Sequence, residues 1–182
     1  KEKGHMLQTY NPNDIAEFQI MLQSTGKWFT DNDGNADFTN NDALKECYDV
    51  FKKLNESDFC QVVSDWTGFA GAINNGDVAC VMRGSWITST IMSADDQSGK
   101  WKMAPIPKMS TDGATHYSNQ GGSSWFVLKN SKNADAAAKF LADTFGGSTE
   151  LYDSLMKSNN IIGTYLPAAD IEAVNTESEF FS

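Results

Sequence analysis

Two spacings of apolar residues alternate along this chain, and their order predicts its elements. His5 to Thr9 reads as a short strand, and Asn11-Pro12-Asn13-Asp14 as a turn whose Asn13 or Asp14 side chain can cap a helix. That helix carries Ile15, Phe18, Met21 and Leu22 on one face. Trp28 to Thr30 and Ala36 to Thr39 flank Asp31-Asn32-Asp33-Gly34-Asn35 as a hairpin. A helix over 42–54 follows, with Leu44, Cys47, Tyr48, Phe51 and Leu54 as its apolar stripe. Asp65 caps the next helix, which turns Trp66, Phe69, Ala70 and Ile73 inward and ends at Asn75-Gly76.

The uninterrupted run from Val78 to Met82 predicts a strand buried on both faces. Gly84 then releases the chain into a short helix through Trp86, Ile87, Ile91 and Met92. Further strands are expected over 101–104, stopped by Pro105 and Pro107, and over 125–128. Asn133 caps an alanine-rich helix ending at Gly146-Gly147, and Ser148 caps another bearing Leu151, Tyr152, Leu155 and Met156. Helix and strand alternate throughout, which is the pattern of an α/β domain.

Charge narrows the partner. The 182 residues hold 24 acids against 14 bases, a formal net charge of −10. A nucleic-acid binder needs a basic footprint to displace counterions, and none is visible. A neutral or cationic partner fits better, although acidity also serves solubility. The cysteines Cys47, Cys60 and Cys80 are odd in number and widely spaced, which argues against a disulfide framework. They read as buried thiols, Cys47 on a helical stripe and Cys80 in an apolar strand.

With only His5 and His116 besides, no clustered zinc set exists, and no cofactor is expected. Asp31, Asp33, Asn35 and Asp37 alternate as in a calcium loop, but Gly34 falls too early and no glutamate closes the loop. No apolar run is long enough to cross a bilayer, and Lys1 to Gly4 do not form a signal peptide. The expectation is a piece of a longer protein.

The order of motifs resembles a family. Asp65-Trp66-x-x-Phe69, Asn75-Gly76-Asp77-Val78-Ala79 and Gly84-Ser85-Trp86 come first. Gly99-Lys100-Trp101-Lys102-Met103-Ala104-Pro105-Ile106-Pro107 and Gly121-Gly122-Ser123-Ser124-Trp125 follow. Ser131-Lys132-Asn133-Ala134-Asp135-Ala136-Ala137 with Phe140-Leu141, and finally Tyr165-Leu166-Pro167-Ala168, close the series. No single motif is specific, but their order and spacing together resemble family 1 of the bacterial extracellular solute-binding proteins, the maltose-binding-protein-like receptors of ABC importers.

The resemblance implies a type II periplasmic-binding-protein-like α/β fold of two lobes, with ligand held between them, in members about twice this length. It places residues 1–120 in the C-terminal lobe and 121–163 across the hinge, on helices that pack against the N-terminal lobe. Residues 164–182 would return to the C-terminal lobe. It implies a mono- or oligosaccharide ligand, an ABC-transporter permease as membrane partner, and a place in the periplasm or on the outer face of the cell membrane as a lipoprotein. Arg83 departs from the small or amide residue expected before the Gly-Ser-Trp turn.

A sugar offers hydroxyls at its rim and C–H patches on its faces, so its site needs aromatic rings and fixed polar groups. Trp86 is the first candidate platform, since it emerges beyond a strand's carboxyl end through a glycine; a plain core tryptophan is the alternative. Gly121 and Gly122 can bring backbone N–H groups close to a hydroxyl, or simply serve as a hinge. Asn119, Gln120 and Ser123 could add polar contacts. Asn11 and Asp14 face the cleft by resemblance, while a turn-and-cap role explains them equally. Trp66 divides between cleft and core, and Tyr165 is a candidate of the same kind.

An enzyme is the competing class, most plausibly a carbohydrate hydrolase with a carboxylate pair drawn from residues such as Asp14 and Asp65. Neither sits in a recognisable acid–base motif, and no Gly-x-Ser-x-Gly elbow is present. Iron capture by the same fold would call for adjacent tyrosines, which the sequence lacks.

Overall fold

The computed structural model describes residues 6–119 and 121–181, so His5 and Gln120 lie outside the described residues. Strand β1 (Gln8–Tyr10) pairs in parallel with β2 (Cys60–Val62), in the register Gln8↔Cys60, Thr9↔Gln61, Tyr10↔Val62. Parallel neighbours need a long crossover. Helices α1 (Ala16–Ser24) and α2 (Asp42–Asn55) provide it. On the other side of the same segment, Met6 bridges Val78 in parallel, and the Ala79 and Cys80 amides donate to the Met6 and Leu7 carbonyls. Helix α3 (Trp66–Asn74) makes the second crossover. Residues 6–10 are therefore the middle of a small parallel arrangement with helices between its members, as an α/β fold requires.

Two apolar cores hold it together. Phe18, Met21 and Leu22 of α1 meet Ala43 and Cys47 of α2, closed by Met109 and Ala114 from the following loop. Phe69, Ala72 and Ile73 of α3 meet Val78, Ile87, Ile91 and Phe180 in the other. Ile87 belongs to a 3₁₀ turn (Ser85–Ile87) that runs directly into helix α4 (Thr88–Met92). Helices α5 (Ala134–Asp143), α6 (Thr149–Asn159) and α7 (Glu172–Asn175) complete the chain.

Local signals worked where the capping residue was near at hand. Asn41, Asp65 and Ser148 each accept a hydrogen bond from the backbone amide three residues on, at 3.0, 2.9 and 3.1 Å. Gly76 ends α3 with φ +72°, a dihedral costly for any residue with a Cβ. The 28–39 hairpin is present, with an antiparallel Thr30–Ala36 bridge.

Several expectations need correcting. The run Val78–Met82 is not a strand buried on both faces: Val78 is buried, but Ala79 and Cys80 are exposed, because among the described residues only one side of this segment is paired. Cys47 and Cys60 are buried thiols; Cys80 is not, although its Sγ–H turns back to the Leu7 carbonyl. Tyr48, placed on the α2 stripe, is exposed.

The predicted strand over 101–104 shrinks to one bridge between Trp101 and Phe181. Among the described residues, segment 125–128 forms no ladder, since a strand is defined by a neighbour that accepts its hydrogen bonds. Asn133 makes no side-chain cap bond; instead its amide donates to Ser131 Oγ. Helix α5 stops at Asp143, before the Gly146-Gly147 pair, and buries none of its residues.

Candidate functional site

Capped by Asp65, α3 begins with Trp66, whose ring lies nearly parallel to that of Phe69 one turn on, with centroids 5.5 Å apart at 16°. Trp86 arrives from the other direction, two residues after Gly84, and its ring sits 5.7 Å from that of Trp66 at 43°. Phe69 is 2% exposed, Trp86 37% and Trp66 51%. The three rings thus form a shelf with a buried inner end and an open outer end. Open indole faces next to one another can cover the C–H patches of a pyranose.

Gly121 lies alongside this shelf. Its φ of +98° is a backbone state that favours glycine, and a Cβ there would stand 3.2 Å from Trp86 Nε1. The glycine therefore lets the backbone approach the indole edge.

Beneath the shelf sits a charge cluster. Arg83 Nη2 donates to Asp14 Oδ2 at 3.1 Å, and Nη1 stands 2.8 Å from Glu17 Oε1, at ion-pair distance but off hydrogen-bond alignment. The Arg83 and Glu17 side chains are 2% and 3% exposed, whereas that of Asp14 is 46% exposed. The guanidinium carbon lies 4.6 Å from the Phe69 ring centroid, a cation–π contact at the shelf's inner end. Burial pushes the Glu17 carboxyl up, while the Arg83 charge and the backbone amide of Glu17 itself pull against it. Asp14 Oδ1 meanwhile accepts from the Ala16 amide at 2.9 Å, at the start of α1. Asp14 consequently does double duty, in the turn and against Arg83.

Sequence reasoning singled out Asp14, Trp66, Trp86 and Gly121, and the fold links them in one contiguous group through Arg83 and Phe69. Asn11 is half-buried and its Oδ1 accepts from the Asn13 amide, which is a turn contact. Asn119, Gly122 and Ser123 are exposed, with Gly122 at φ +94°. Tyr165 stacks on Tyr152 at 6.2 Å instead, and the Tyr152 hydroxyl is held by the Phe145 carbonyl. Glu17 and the structural part played by Arg83 went unread. The available signal was an arginine at a strand end together with acids at 14 and 17, three apart at a helix start.

Among the described residues, no group of three or more His, Cys, Asp or Glu side chains could hold a metal ion. In the 31–35 loop, Asp31 Oδ1 accepts from the Asp33 and Asn35 amides at 2.9 and 2.8 Å, so the carboxylate nearest to a calcium pattern already serves its own turn. The carboxylates of Asp14 and Glu17 converge on a guanidinium, and Asp65 caps α3.

Known proteins resemble this chain in sequence and in fold. The chain is 36% identical over 178 residues to a lactose-binding protein of Rhizobium radiobacter, covering 98% of this chain and 42% of that protein. Its fold matches the GacH receptor of Streptomyces glaucescens with a TM-score of 0.76 at 22% identity, over 94% of this chain and 44% of the receptor, whose structures include a complex with acarbose. The chain thus spans less than half the length of these relatives. Because the family of bacterial extracellular solute-binding proteins matches residues 3–181, nearly end to end, the chain belongs to that family.

Proposed function

We propose that these residues form one wall of a sugar-binding cleft in an extracytoplasmic receptor, which captures a mono- or oligosaccharide and hands it to the permease of an ABC importer. The observation that carries this is the Trp66–Trp86 pair, partly open to solvent and flanked by Gly121. Rings that served only the core would not leave half of Trp66 uncovered. A receptor needs no acid–base pair, and the acids at this site are engaged by Arg83 or by helix ends. The protein binds and releases its sugar unchanged.

The facing wall belongs to a second lobe outside these residues. Residues 1–120 and 164–182 make up the C-terminal lobe, and 121–163 cross the hinge. Support comes from the relatives' greater length and from the apolar surface of the crossing segment, where Trp125, Phe126, Leu128 and Phe140 are 66%, 86%, 73% and 60% exposed. Lactose is the first sugar to try, given the curated relative. A glycan panel including lactose and maltose, read on the full-length protein by tryptophan fluorescence and calorimetry, tests the proposal. Saturable binding without product supports it; turnover of any glycan, or silence across the panel, sinks it.

A further inference from the structure

Arg83 is too deeply placed to meet a ligand, with its side chain 2% exposed and carboxylates at both terminal nitrogens. It is nonetheless tied to the sugar-binding shelf in two ways. Through space, its guanidinium faces Phe69, which is 2% exposed and lies nearly parallel to Trp66, the neighbour of Trp86. Through the chain, it immediately precedes Gly84-Ser85-Trp86, so the anchor of the turn and the ring at its far end are three residues apart.

We propose that Arg83 is the positioning residue of the aromatic shelf: clamped by Asp14 and Glu17 at the start of α1, it fixes the mutual tilt of Phe69, Trp66 and Trp86 without touching the sugar. The chemistry fits this part. A guanidinium is flat, so the hydrogen bond from Nη2 to Asp14 and the Glu17 charge beside Nη1 hold it at the helix start while its face is free for a ring. A lysine would supply the charge but not the plane. Glu17 Oε2 is buried without a hydrogen-bond partner, so the cluster tolerates little loss of its cation. The ligand part of this inference rests on the function proposed above; the geometric part does not.

The test uses the full-length protein with Arg83→Lys, Arg83→Met and Asp14→Asn, and Trp66→Phe as reference. Two indoles this close give an exciton couplet in far-ultraviolet circular dichroism, a signature that reports tilt rather than stability. Arg83→Lys is expected to melt cooperatively yet lose the couplet down to the Trp66→Phe spectrum, and to bind lactose about tenfold more weakly or worse. Asp14→Asn is expected to lose part of both. If Arg83→Met fails to fold, Arg83→Lys and Asp14→Asn decide the matter. A folded Arg83→Lys protein with the couplet intact overturns the inference, whether or not lactose binds. Loss of the couplet in a protein whose parent ignores every sugar upholds the positioning role and fails the sugar reading instead.

Discussion

The indole nitrogen of Trp86 lies 3.2 Å from the point where Gly121 would carry a Cβ. The two residues are 35 apart in sequence and come from different segments, so their approach ties the shelf to the segment that opens at Gly121. Gly121→Ala should disturb both. The φ of +98° would impose strain of roughly 1–3 kcal/mol on an alanine, and the methyl would press on the ring edge. Tryptophan fluorescence should shift, and lactose affinity should fall together with the melting temperature. An unchanged spectrum and affinity would separate Gly121 from the binding shelf.

Trp86→Ala should weaken sugar binding while leaving a folded protein. Covering about 70 Å² of ring at ~25 cal/mol/Å² amounts to about 2 kcal/mol, or about thirtyfold in affinity. The ring is 37% exposed, so its removal opens the shelf more than it hollows the core. Calorimetry and a thermal melt distinguish the cases: a collapsed variant, or one with full affinity, would place Trp86 in a purely structural role.

Glu46 should govern part of the acid limb of the stability curve. Its Oε1 accepts from the Ser110 amide at 2.7 Å and from the Ser110 hydroxyl, and its Oε2 from the Thr111 hydroxyl and amide at 2.7 and 3.0 Å. These bonds hold the carboxyl at about 2, against an ordinary 4.5. A depressed carboxyl contributes stability that is present above 4.5 and is lost as pH falls through about 2. Glu46→Gln should therefore lower the melting temperature at neutral pH and flatten its decline across that window. Parallel pH curves for the two proteins would show that the α2-to-loop contact contributes nothing.

On their own, the 182 residues should self-associate and bind sugar poorly. Residues 125–128 and Phe140 line one apolar groove, open to solvent in the isolated chain. Sedimentation should show oligomers that Phe126→Asp with Phe140→Asp dissolves, and calorimetry should show affinity well below that of the full-length protein. A monomeric chain with the full-length protein's affinity would remove the case for a second wall.

Chelation should change nothing. Asp31 already accepts the Asp33 and Asn35 amides, which holds its carboxyl below its usual range without any cation. A fall in melting temperature on adding a chelator would show that the 31–35 loop holds calcium.

The sequence by itself determined what short-range chemistry decides. Asp65 and Ser148 announce helix starts because a side-chain oxygen needs only an amide three residues away; Asn41 does the same in the structure, although it went unread. The Asn75-Gly76 stop and the 28–39 hairpin are local in the same sense. The motif order, read from Asp65-Trp66 through Tyr165-Leu166, carried the family, and the family match bears it out.

Tertiary structure decided whatever depends on a neighbour from elsewhere in the chain. Val78–Met82 and 125–128 carry apolar runs fit for strands, but a run does not say whether a partner lies on each side, and among the described residues the first is paired on one side and the second on neither. Arg83 is the clearest case. In sequence it is a charge out of place before Gly-Ser-Trp; in the fold, Asp14 and Glu17, 69 and 66 positions away, neutralise it, and Phe69 gives it a surface. A buried cation is tolerable only where its counter-charges converge, and that convergence is a property of the folded chain.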